Sequence, residues 1–117
     1  MARETFNYDA LVAGEIFGVM SVPVAAGVAV KKGDLLECVV TSGAPAATFT
    51  KPAAAAKTTN IYAIAAEDVE AGEGIVKVTA YTSGYFGKTA VTFGGATTAE
   101  ANEIALLAHG IYLKEVH

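Results

Sequence analysis

The sequence has no tryptophan, one cysteine, three prolines and two histidines among 117 residues, and only 17% of its residues are charged. A single cysteine excludes an internal disulfide framework and any cysteine-rich metal centre. Eight lysines and arginines against twelve acids leave a net charge of −4. The cations are scattered along the chain, so nothing is arranged to neutralise a run of phosphates, and nucleic acid is not an expected partner. Hydrophobic residues make up 53% of the chain, far too many for a disordered protein, and the length suits one compact domain. With aromatics at only 9%, the core is expected to be built mainly from small side chains.

Long apolar runs are also missing. The stretch from Leu11 to Val30 is interrupted by Gly14, Glu15, Gly18, Pro23 and Gly27, whereas a membrane span wants about 20 apolar residues without such breaks. The first ten residues carry charges where a signal peptide has its apolar centre. The expectation is a soluble protein without an export signal, made in a cytosol and with no membrane partner.

What is present is a β texture. From Ser21 to Phe93, short apolar runs alternate with glycine and proline turns. Strands are expected at Val22 to Val24, Val28 to Lys31, Leu35 to Thr41, Thr48 to Lys51 and Ile61 to Ala66. The cleanest alternation runs from Ile75 to Thr82, and the pattern continues through Tyr85-Phe86 and Thr89 to Phe93. Gly33 in the Lys32-Gly33-Asp34 turn suits a positive φ. Lys51 to Thr59, with Pro52 and four alanines, is expected to be a surface loop, and Glu67 to Gly74 an acidic turn. The period then changes. Thr97 and Glu100 form a capping box, Ile104, Leu107, Ala108 and Ile111 follow at helical spacing, and His109-Gly110 marks a helix end. The expected fold is α+β and mostly β: a small barrel-like β-domain with one C-terminal helix, from about Thr98 to His109, and a short terminal strand.

The first twenty residues read differently. Arg3, Glu4, Asn7, Asp9 and Glu15 are mixed with Phe6, Tyr8, Leu11, Ile16 and Phe17 without any clean period. Either this segment is a first strand of the domain or it is an extended N-terminal arm that becomes ordered against a partner. The second reading divides the chain into an arm over residues 1–20 and a β-rich domain over residues 21–117.

Chemistry is hard to find. His109 and His117 lack a third metal ligand, and Cys38 sits within the apolar run Leu35 to Val40, where an inert buried thiol is expected. Glu67, Asp68, Glu70 and Glu73 lack the ligand ladder of a calcium loop. Gly94-Gly95 has no accompanying phosphate-binding fingerprint. No nucleophile, base and orienting group can be assembled, so no enzyme, catalytic residue, metal or cofactor is expected. Val28 to Leu36 resembles the Gly-Asp turn of biotinyl- and lipoyl-carrier domains, but Lys51 and Lys57 lack the sequence context of a modifiable lysine.

The order of segments carries a stronger resemblance. An apolar-polar N-terminal stretch is followed by VAVKKGDLLE (28–37), IYAIAAEDVEAGEGIVKVTAYTSGYF (61–86), AVTF (90–93) and LLAHGIYLKEV (106–116). From about Leu11 onward this is similar to the lambda-type head decoration, or capsid cement, proteins of tailed bacteriophages. The most specific part is Ala63 to Phe86. Gly87-Lys88-Thr89 and the alanine loop at 53–56 depart from the family pattern. The resemblance implies a homotrimer at the threefold positions of an expanded phage head, on the outer surface of the virion, assembled in the host cytoplasm. Its partner would be the major capsid protein, to which the arm adds a strand. Thr5, Phe6, Asn7, Tyr8, Leu11 and Phe17 are then the expected capsid-binding residues. A carrier or small-ligand barrel, and an adhesive module of a virion, are the competing readings.

Overall fold

The computed structural model describes residues 11–52, 56–88, 90–93 and 99–114. Seven strands and one helix follow in the order β1 (Val12–Val24), β2 (Leu35–Cys38), β3 (Val40–Thr41), β4 (Ala44–Pro45), β5 (Ile61–Ala65), β6 (Val76–Gly87), α1 (Ala99–Ala108) and β7 (Ile111–Lys114). The mostly-β α+β class is as the composition and turn spacing led one to expect. The sheet is open, however, and not closed into a barrel. Its order is β1-β6-β5-β2, with β7 also on β6, and β3-β4 form a separate hairpin.

β6 organises the molecule because its 12 residues serve three neighbours. β1 lies antiparallel along one edge, from Val24↔Val76 to Val12↔Phe86. On the opposite edge, Tyr81 and Ala80 pair with Ile64 and Ala65 of β5. Beyond them, Gly84 to Gly87 pair in parallel with β7. A parallel partner needs a crossover, and α1 supplies it.

Both faces of this sheet are covered, which follows from the alternation in β2 and β5. Leu35, Tyr62 and Ile64 point into one cluster with Leu11, Phe86, Val91, Leu106, Ile111 and Leu113. Leu36, Ala63 and Ala65 point into the other, with Val22, Val24, Val30, Val78 and Ala80. The first cluster holds the large side chains and sits under α1. Apart from Leu36, the second is built from valine and alanine, as the small-residue composition implied.

Several sequence expectations are corrected. Residues 12–20 are strand, continuous with Val22 to Val24, so no structural break falls at residue 20. Val28 to Lys31 is not a strand; it makes only an isolated bridge between Val30 and Val69. The run Leu35 to Thr41 is broken at Val39. There the Val40 N–H donates to Asn60 Oδ1 at 3.1 Å, and the Val39 carbonyl accepts from the Ala46 N–H at 2.8 Å. A side-chain acceptor thus replaces the ladder, and the chain turns off into the β3–β4 hairpin. Gly33 does adopt a positive φ, +96°, and a Cβ there would stand 2.7 Å from the Ala90 carbonyl oxygen.

The helix lies where the spacing placed it, but with another face inward. Asn102, Ala105 and Leu106 are buried, while Ile104 and Leu107 are 75% and 49% exposed. The fully buried Asn102 decides this, because its Oδ1 accepts the Ala56 N–H at 2.7 Å. An amide left unpaired in that position would cost about 1–3 kcal/mol. The expected capping residue Thr97 lies outside the described residues, as do the Gly94-Gly95 step and the alanines at 53–55.

Candidate functional site

The surface that differs most from an ordinary sheet edge is β1. It is the end strand, and among the described residues its outer edge meets another segment only near Val24, which bridges to Phe49. Edge strands are usually blunted by lysine or proline. The β1 sequence VAGEIFGVMSVPV has no lysine, and its one proline, Pro23, stands near the far end. Instead it exposes Phe17, Val19 and Met20, each by more than half. Met20 continues the row of Val22 and Val24 beyond the margin of the small-residue cluster, opposite the buried Ala80. Complete burial of three such side chains against a partner is worth about 1–2 kcal/mol each, given that part of each is already covered.

Phe17 begins a row of aromatic rings across three strands. Its ring meets Tyr85 edge-on at 5.8 Å, and Tyr85 stacks with its parallel-strand neighbour Tyr112 at 5.0 Å. Lys114 Nζ lies 5.4 Å from the Tyr85 centroid. Gly14 leaves the room that Tyr85 occupies, since a Cβ there would come within 3.1 Å of it. This row holds the outer face of the β1–β6–β7 ribbon together.

Of the residues expected to bind a capsid, Thr5, Phe6, Asn7 and Tyr8 lie outside the described residues. Phe17 is exposed at 57%, as an attachment residue must be. Leu11 is not available for that role. It is 4% exposed and belongs to the main core, and its carbonyl accepts the Gly87 N–H at 2.7 Å. An aliphatic side chain at the head of β1 is better served by the core than by an external surface. Val19 and Met20 were missed in the sequence reading, although their apolar character beside Phe17 was the available signal.

The polar interior is a separate matter. Glu37, Asn60 and Tyr62 form a network in which the Tyr62 hydroxyl donates to Glu37 Oε2 at 2.7 Å and Asn60 Nδ2 donates to the same oxygen at 3.0 Å. The Lys57 N–H donates to the Tyr62 hydroxyl at 2.8 Å, and His109 Nε2 stands 3.2 Å from the Lys57 carbonyl oxygen. Each polar group here is used to fasten the 56–60 segment to β2, β5 and the end of α1. Burial, reinforced by the bond to Glu37, raises the Tyr62 hydroxyl above its ordinary value of 10.0. A raised value means that the folded state holds the proton more tightly. The stability gained is complete below pH 10 and disappears as pH climbs through the folded-state value. Tyr62→Phe is expected to flatten this alkaline loss, and to cost about 1–2 kcal/mol at neutral pH by leaving the Lys57 amide and Glu37 underpaired. Urea titrations at pH 7 and above pH 10 measure both effects.

The remaining candidates are occupied structurally. Cys38 is buried, with its thiol 3.2 Å from the Ala46 carbonyl oxygen. In the acidic turn, Asp68 accepts the Lys32 N–H at 2.7 Å and Glu67 accepts the Thr79 N–H at 2.8 Å. Among the described residues no group of three His, Cys, Asp or Glu side chains is placed to hold a metal ion, and no helix is long and apolar enough to cross a membrane. In comparisons with known proteins, no family model matches the chain and no curated protein matches it.

Proposed function

We propose that this protein is a capsid decoration protein, a trimer that binds the major capsid protein at the threefold positions of an expanded phage head and reinforces the head against internal DNA pressure. The observation that carries this reading is the apolar stretch of the end strand β1, with Phe17, Val19 and Met20 exposed on it. A strand of this kind suits addition to a sheet or strand of another protein, where main-chain hydrogen bonds supply affinity and alternate side chains supply selectivity. The resemblance of the sequence to head decoration proteins is what points to the major capsid protein as that partner. The mechanism is mechanical: one trimer spanning several shell subunits resists their separation, and three attachment points raise the effective concentration of each. Nothing favours a carrier domain, because the β3–β4 hairpin tip is Ser42-Gly43 and Lys51 is paired with Asp34 at 3.3 Å.

The test is co-sedimentation with empty expanded capsids of the phage that encodes the chain. Wild-type protein is expected to bind stoichiometrically, and a Phe17→Ser, Met20→Glu double variant to lose about tenfold or more in affinity. Removal of residues 1–10 is the informative truncation, since a longer one would take Leu11 from the core. Full-length protein that ignores capsids would sink the proposal.

A further inference from the structure

We infer that Thr48 to Lys51 is a clasp that shortens the usable edge of β1, and that strand addition to β1 waits on its opening. The part concerning strand addition rests on the function proposed above. β1 and β2 are the two ends of the strand order, and adjacent residues of this segment hold one each. The Phe49 N–H donates to the Pro23 carbonyl at 2.7 Å, and the Phe49 carbonyl accepts the Ala25 N–H at 3.0 Å. The Thr50 N–H donates to the Glu37 carbonyl at 2.9 Å, and the Thr50 carbonyl accepts the Glu37 N–H at 2.7 Å. Phe49 and Thr50 share one peptide bond, so lifting either from its margin pulls on the other, and the two pairs open together.

The clasp is lightly held. Phe49 is only half-buried against the valine and alanine cluster. Lys51 Nζ lies 3.3 Å from Asp34 Oδ2, and the partners are unequal: the Asp34 carboxylate is buried and also accepts the Lys31 N–H at 2.9 Å, whereas Lys51 is half-exposed. Asp34 is thus fixed to the body of the domain, and Lys51 is the side that releases. The exposed Ala47 and the buried Pro52 bound the stretch that lifts.

Its position limits β1. Pairing with β6 is regular only from Val19 to Val24, and the slips before Val19 leave the main-chain groups of the outer edge unevenly spaced. Phe49 occupies that edge at Pro23 and Ala25. The regular edge left open among the described residues runs from Val19 to Val22, short of the roughly five to six residues of an ordinary strand. Opening the clasp adds the Pro23 carbonyl and the Ala25 N–H, two groups that already serve a parallel neighbour. A partner strand competes with Phe49 for them, and its apparent affinity scales with the open fraction.

Native-state hydrogen exchange of the full-length protein, read by NMR without capsids, tests the clasp. The amides of Ala25, Glu37, Phe49 and Thr50 are expected to share one protection factor, lower than that of Val22 and Val78, which face each other across β1 and β6. Lys51→Gln should speed exchange at those four by about tenfold and leave Val22 and Val78 unchanged. Co-sedimentation with empty expanded capsids should then show Lys51→Gln binding more tightly by that same factor. Phe49→Ala, which loses the ring and keeps the main chain, decides both points if Lys51→Gln does not fold. Four amides as protected as Val22 and Val78, or four that respond separately to the substitution, overturn the clasp. A variant with faster exchange but the capsid affinity of the wild type overturns its control of β1. Wild type and variants that all ignore capsids remove the decoration reading instead, and the exchange rates alone then decide the clasp.

Discussion

Phe86→Ala is expected to lose about 3–5 kcal/mol of unfolding free energy, the usual range for truncating a buried phenylalanine. Phe86 is fully buried and lies at the crossing of three strands, opposite Val12 of β1 and beside Leu113 of β7. Its ring stands 5.6 Å from that of Tyr81, and its cluster includes Leu35, Ile64, Leu106 and Ile111. Those neighbours come from three strands and the helix, so they cannot collapse together into the space vacated. Domains of this size have about 5–15 kcal/mol in total, and the variant should therefore be near the edge of folding. Guanidinium titration measures the loss, with Phe86→Leu as the volume-sparing control at about 1–1.5 kcal/mol. A loss below about 1 kcal/mol for the alanine variant would contradict a packed core at this point.

Gly84→Ala is the second large effect, and its cause is backbone. Gly84 has φ +144°, a conformation that residues with a side chain rarely adopt, and strain of this kind costs about 1–3 kcal/mol. A Cβ there would also meet Glu15 O at 2.8 Å and the Ile16 Cα at 2.9 Å, both backbone atoms of β1. Neither can swing aside as a long side chain would, so β1 must lift from β6. The expected signature is faster amide hydrogen exchange over Ile16 to Gly18 together with a stability loss of about 3 kcal/mol or more. Unchanged exchange in β1 would show that the ribbon absorbs the methyl group elsewhere.

These two residues also mark where the sequence was readable and where it was not. The alternation from Ile75 to Thr82 revealed β6, since Val78 and Ala80 are buried between exposed Lys77 and Thr79. The same kind of reading failed for residues 12–20, and the register explains it. Between Val12 and Val19 the β1–β6 pairing slips three times, so residues on successive positions do not keep to alternate faces; from Val19 to Val24 the pairing is regular. A strand with irregular register has no period to detect. The helix was legible in position but not in orientation, because Ile104, Leu107 and Ala108 have the spacing of a core stripe. Asn102, bonded to Ala56 across 46 positions, holds the helix with these residues outward, and no sequence period announces it. The Glu37, Asn60 and Tyr62 network was equally invisible, being assembled from β2 and β5 across 23 and 25 positions. Of the proposed attachment residues, Phe17 and Leu11 carried the same apolar signal in the sequence, yet Phe17 is exposed and Leu11 went to the core.

The pairing of β1 with β6 also orders events in time. Val24 meets Val76 and Val12 meets Phe86, so β1 has no ladder partner in β6 until Val76, 52 positions after Val24 (76 − 24), has been made. Such distant pairing makes folding slow, because a long loop must close before any bond of the ladder forms. During that interval β1 presents two open edges, with Phe17, Val19 and Met20 unshielded. Translation speed and chaperone supply should therefore govern the yield of native protein more than its final stability does.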